Sequence, residues 1–123
     1  MRTAAALALL LGSTAASAAD VVDGVPEQFL GEWNSVLEHC GTGNNDSVLR
    51  IERHHIHFWE SDGSIKAVVV HGQYEIALIN ELSGEGQTWL STAQFRLSPG
   101  QDKLIYTSNP GEEFVRYRCP SGK

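Results

Sequence analysis

Apolar residues come along this chain in short runs, each cut off by turn-forming residues and too short to make a helix. Gly41-Thr42-Gly43-Asn44-Asn45-Asp46, Asp62-Gly63, His71-Gly72, Ser83-Gly84-Glu85-Gly86, Ser98-Pro99-Gly100 and Asn109-Pro110-Gly111 are the interruptions. Strands are predicted between them, near 31–37, 47–53, 55–61, 64–71, 73–82, 87–97, 103–108 and 113–119. That rhythm is the mark of an antiparallel meander. One helical turn is expected around Pro26-Glu27-Gln28-Phe29, with proline at a permitted first-turn position, and residues 20–23 are expected to be loose.

Alternate residues of a strand face opposite sides, so parity tests the strand reading. Asp62-Gly63 at the centre of a two-residue type I′ turn pairs Phe58 with Ala67 and Ile56 with Val69. Ile56, Phe58, Ile65, Ala67 and Val69 then share one face, and His55, His57, Trp59 and Lys66 the other. A second hairpin centred on Gly84-Glu85 pairs Leu78 with Ser91 and Ile76 with Ala93. It gathers Tyr74, Ile76, Leu78, Trp89, Ala93 and Phe95 on one side, opposite Glu75, Glu81, Thr92, Gln94 and Arg96. Each hairpin has one apolar face, as strands around a single core require. The expected fold class is all-β: a small eight-stranded antiparallel up-and-down barrel, which leaves no open edge, with a two-sheet β-sandwich as the alternative.

Residues 1–19 change the picture, because they read as a cleavable export signal. Arg2 supplies the positive start, Ala4 to Leu11 the apolar stretch and Ala16-Ser17-Ala18 the small-residue cleavage site. Residues 20–123 are left as a single β-barrel domain, expected in the periplasm or outside the cell. The chain carries a formal charge of −6, and losing Arg2 makes it −7. A surface of that sign repels phosphate backbones and anionic headgroups, which argues against nucleic acid and membrane-surface partners. No later apolar run approaches the length of a spanning helix, so no membrane insertion is expected.

An oxidising compartment gives the two cysteines their meaning. Cys40 and Cys119 can form one bridge, and it would tie the end of the first strand to the last, neighbours in a closed meander. Neither lies in a C-x-x-C arrangement, so a structural disulfide is expected and not a redox pair.

The entry segment Phe29-Leu30-Gly31-Glu32-Trp33 carries a resemblance. Gly-x-Trp opening the first strand of an eight-stranded barrel resembles the start of calycins: lipocalins, avidins and bacterial lipocalin-like inhibitors. The resemblance implies that Trp33 closes one end of the barrel and that a basic residue of the last strand, Arg116 or Arg118, packs across it. Phe-x-Gly-x-Trp followed by a cysteine, Phe58-Trp59-Glu60-Ser61, Ser83-Gly84-Glu85-Gly86-Gln87-Thr88-Trp89 and a closing Arg116-Tyr117-Arg118-Cys119 are similar to small exported bacterial proteins. That likeness implies export and fold and brings no activity with it.

Candidate chemistry is sparse. His55 and His57 project from one strand face and could hold zinc or copper with Glu52 or a carboxylate from a neighbouring chain, while His54 is expected opposite His71. The plainer reading puts His-x-His on a solvent face, and no cofactor is expected. Asp46-Ser47 reads as a loop cap and not as part of a triad, and Glu112-Glu113 alternates across a strand, so the two carboxylates do not converge. No nucleophile elbow, zincin helix or P-loop occurs, and no catalytic residue is assigned.

The expectation is therefore a monomeric, non-enzymatic recognition protein. A small apolar molecule would sit at the barrel mouth near Trp33, Tyr74 and Trp89. The alternative is an exported protein partner, such as a hydrolase to be inhibited, met by loops 41–46, 83–86 and 108–113, with Trp59 as a candidate anchor. A histidine-centred enzyme or metal-binding protein is the second alternative.

Overall fold

The meander closes in the computed structural model, which describes residues 19–121. Its strands are β1 (Asp20–Val22), β2 (Gly31–Asn34), β3 (Leu49–Ile51), β4 (His55–Phe58), β5 (Asp62–His71), β6 (Glu75–Gly84), β7 (Gln87–Leu97), β8 (Lys103–Tyr106) and β9 (Phe114–Arg118). From β2 to β9 each strand pairs antiparallel with the next, and β9 returns to β2. Eight strands thus form a closed barrel and not a sandwich. The segment read as an export signal lies, apart from Ala19, outside the described residues.

Residues 20–22 are not loose, because β5 needs them. The four residues of β4 cover only Asp62 to Ser64 of β5, which leaves the backbone of Val68 to Val70 without a partner on that edge. β1 supplies one, pairing Val21 with Val69, and Val22 packs against the core. Among the described residues helix is confined to 3₁₀ turns at Glu27–Phe29, led by Pro26 at φ −61°, and at Leu37–His39.

Both predicted hairpin centres move, for different reasons. Asp62-Gly63 lies inside β5, and the chain reverses over Trp59-Glu60, with the Phe58 amide donating to the Ser61 carbonyl at 2.7 Å. Gly63 is there to let β5 and β6 approach: a Cβ at this position would stand 1.8 Å from the Glu81 carbonyl oxygen. Ile56 therefore faces Gly63, not Val69. In the second hairpin the turn is Glu85-Gly86, both with positive φ (51° and 79°), as type I′ geometry demands. Leu78 then faces Ala93 and Ile76 faces Phe95, a two-residue slip that keeps the predicted faces.

One face does change. A bulge between Ile65 and Ala67 adds Lys66 to β5 and reverses its parity, so Ile65 and Val68 are buried while Ala67 and Val69 turn outward. Strict alternation holds along β6, whose Ile76, Leu78, Asn80 and Leu82 are all buried between outward Ala77, Ile79 and Glu81. With Trp33, Leu49, Ile51, Ile56, Phe95, Leu97 and Leu104 they fill the interior. Asn80 is the exception in chemistry: it is 0% exposed, and neither amide atom has a hydrogen-bond partner among the described residues. An orphaned buried amide costs its desolvation. Asn80→Leu is expected to raise the urea midpoint, by about 1 kcal/mol of stability; a comparable loss instead would show that the amide has a partner, such as an internal water.

Strand direction defines two ends. The 3₁₀ turn at Glu27–Phe29 and the turns at 52–54, 72–74 and 98–102 lie at one, with Val25 and Phe29 fully buried. Loop 35–48, the turn at 59–61, the Glu85-Gly86 turn and loop 107–113 lie at the other. Loop 35–48 doubles back along β2: the Gly41 amide donates to the Glu32 carboxylate at 2.8 Å, and Cys40 is bonded to Cys119 just beyond β9.

Candidate functional site

Trp33 is 0% exposed inside the barrel, its indole N–H donating to the Phe29 carbonyl at 3.1 Å. Across its ring lies Arg118, 4.2 Å from the centroid, held by the carbonyls of Gln28, Leu30 and Gln101. Burial there lowers the Arg118 pKa, against the pull of Asp102. Arg118, not Arg116, thus makes the cation–π contact, and Trp33 is enclosed structure.

The three expected ligand residues do not meet. Tyr74 is on the 72–74 turn and Trp89 near the Glu85-Gly86 turn, at opposite ends of the barrel. Tyr74 borders an open depression of about 510 Å³ with Gly72, Leu97, Pro99 and Ile105, whose charged neighbour Arg96 is engaged by Glu113 at 3.5 Å. Trp89, 40% exposed, leans over Gly84 beside Glu60 and Ser61. Trp59, at the apex of its turn, is 47% exposed on the same rim.

The histidines are dispersed. His55 lies 3.2 Å from the Asp62 carboxylate, His54 within reach of Asp23, and His71 at 2.9 Å from Glu75. His54 stands beside Ile65 and not opposite His71, because the β4–β5 register differs from the predicted one. His55 and His57 share the outer face of β4, but no group of three potential metal ligands converges among the described residues. Ser47 is buried, its hydroxyl hydrogen-bonded to Asn34 and Ser35, so its oxygen is part of the loop's own network.

What the structure does bring together is a cup at the rim of loops 35–48 and 107–113. Phe58, Tyr106 and Phe114 wall a depression of about 300 Å³ with Asn109 and Glu112 on its edge and Arg116 at its base. β9 builds it: Phe114, Arg116 and Arg118 share one side of the strand, with Phe114 40% exposed at the rim, Arg116 buried and Arg118 half-buried, while Val115 and Tyr117 on the other side are exposed. Tyr106 is braced by Phe95, the two rings edge to face at 5.5 Å. Arg116 is only 8% exposed, its guanidinium 4.8 Å from the Phe114 ring centroid and its Nε donating to the Ser47 carbonyl at 2.6 Å. Burial pushes its pKa down to about 10, with Tyr106 and Asp46 pulling it up, so it stays a cation at neutral pH.

Sequence reasoning gave Arg116 only a packing role and passed over Phe114. The available signal was a basic residue at inward parity on the last strand. It was masked because both faces of Phe114-Val115-Arg116-Tyr117-Arg118 carry apolar residues. Comparison with known proteins finds no match for this chain among family models, curated proteins or solved structures.

Proposed function

We propose that the chain is an exported, non-enzymatic recognition barrel that holds a small, largely apolar molecule at the mouth formed by Phe58, Tyr106 and Phe114. The supporting observation is this aromatic cup: it is concave, sized for a two- or three-ring molecule, and has a polar group at its base, the usual make-up of a ligand site. The disulfide supports export, and no helix among the described residues is long and apolar enough to cross a membrane. The calycin resemblance fits this reading, with the ligand at the end opposite Trp33.

Phenylnaphthylamine, a neutral dye that brightens in apolar surroundings, is expected to bind the purified disulfide-bonded protein, and Tyr106→Ala or Phe114→Ala to weaken it about tenfold. Unchanged affinity in both variants, or no binding at all, would rule the site out. A protein partner docking on the rim is the second reading, favoured by the exposure of Trp59 and Trp89 at the same end. In that case the dye is indifferent to Tyr106 and Phe114.

A further inference from the structure

We propose that the molecule held at this mouth is an organic acid: an apolar body between Phe58, Tyr106 and Phe114, with its carboxylate or sulfonate on the Arg116 guanidinium. The inference rests on the reading above and adds the chemical class of the ligand. Arg116 is more than nine-tenths buried, yet only its Nε is hydrogen-bonded among the described residues, to the Ser47 carbonyl. Arg116 lines the cup, and among the described residues neither terminal nitrogen has a hydrogen-bond acceptor and no carboxylate forms an ion pair with it. Asp46 acts on it only through space, and Glu112 stands on the exposed rim.

A largely buried cation whose terminal donors are reached by solvent is what an anionic group in the cup would satisfy, and the planar guanidinium matches an oxyacid with two parallel hydrogen bonds. The rest of the molecule works against anions, since its formal charge is −6. A preference for acids therefore has to come from Arg116 itself and not from the general field.

A matched pair of dyes tests this. Anilinonaphthalene sulfonate has the same two-part aromatic body as phenylnaphthylamine with an added sulfonate. The disulfide-bonded protein is expected to bind the sulfonate at least about tenfold more tightly, and Arg116→Gln to abolish the difference, the sulfonate losing at least about tenfold more affinity than the neutral dye. An Arg116 that only supports the fold would weaken both dyes together, which overturns the proposal. Equal binding of the two dyes to the wild-type protein overturns it as well and leaves the mouth itself standing; binding of neither removes the mouth reading too. If Arg116→Gln does not fold, displacement of bound phenylnaphthylamine from the wild type decides: phenylacetate is expected to compete and phenylacetamide to fail, and equal competition sinks the idea.

Discussion

Trp33→Ala lowers the stability of the folded chain by about 3–5 kcal/mol, the cost of emptying a large, fully buried aromatic site. Three losses combine. The interior loses its largest fully buried side chain, the Phe29 carbonyl loses its indole donor, and Arg118 loses the ring beneath it. Arg118 keeps its three carbonyl acceptors, so the charge itself is not orphaned. Trp33→Phe, which retains most of the volume and a ring for Arg118, is expected to cost far less. Urea denaturation followed by far-ultraviolet circular dichroism measures both. A loss below about 1 kcal/mol in Trp33→Ala would mean that Trp33 does not anchor that end of the barrel.

Opening the Cys40–Cys119 bridge, by reduction or by replacing both cysteines with serine, is the second large effect. The bond closes a loop across 79 positions, and on the chain-entropy model that constraint is worth about 4 kcal/mol. There is a local consequence beside the global one. Loop 35–48 is pinned at one end by Cys40 and holds Arg116 through the Ser47 carbonyl at the other. Reduction is therefore expected to lower the melting temperature by roughly 15 °C or more, and also to erode the mouth's preference for the sulfonated dye before global unfolding. Identical melting curves with and without reductant would show that the bridge does not constrain the chain. A lowered melting point with an intact dye preference would show that the loop holds Arg116 without it.

The strands were legible because alternation is a local property. Glu75 to Leu82 writes its two faces directly into the sequence, and Ile76, Leu78 and Leu82 are buried as their spacing demands. The cystine was legible too, since two cysteines have one intramolecular pairing. Asp62-Gly63 misled because glycine serves equally in a turn and in a close backbone crossing, and only the packing of β5 on β6 selects the second use. The bulge at Lys66 left no mark in the pattern, because Ala67, Val68, Val69 and Val70 are all apolar and either parity reads well.

What the sequence by itself determined is the all-β class, the number of barrel strands and the bridge, all of which follow from period, composition and count. Only the tertiary structure decided which end each turn occupies, that Tyr74 and Trp89 never meet, and that Arg116 lies beneath an aromatic cup. The reason is closure: joining β9 to β2 sets the registers of all eight strands together, and residues far apart in the chain become neighbours only once the ring is shut.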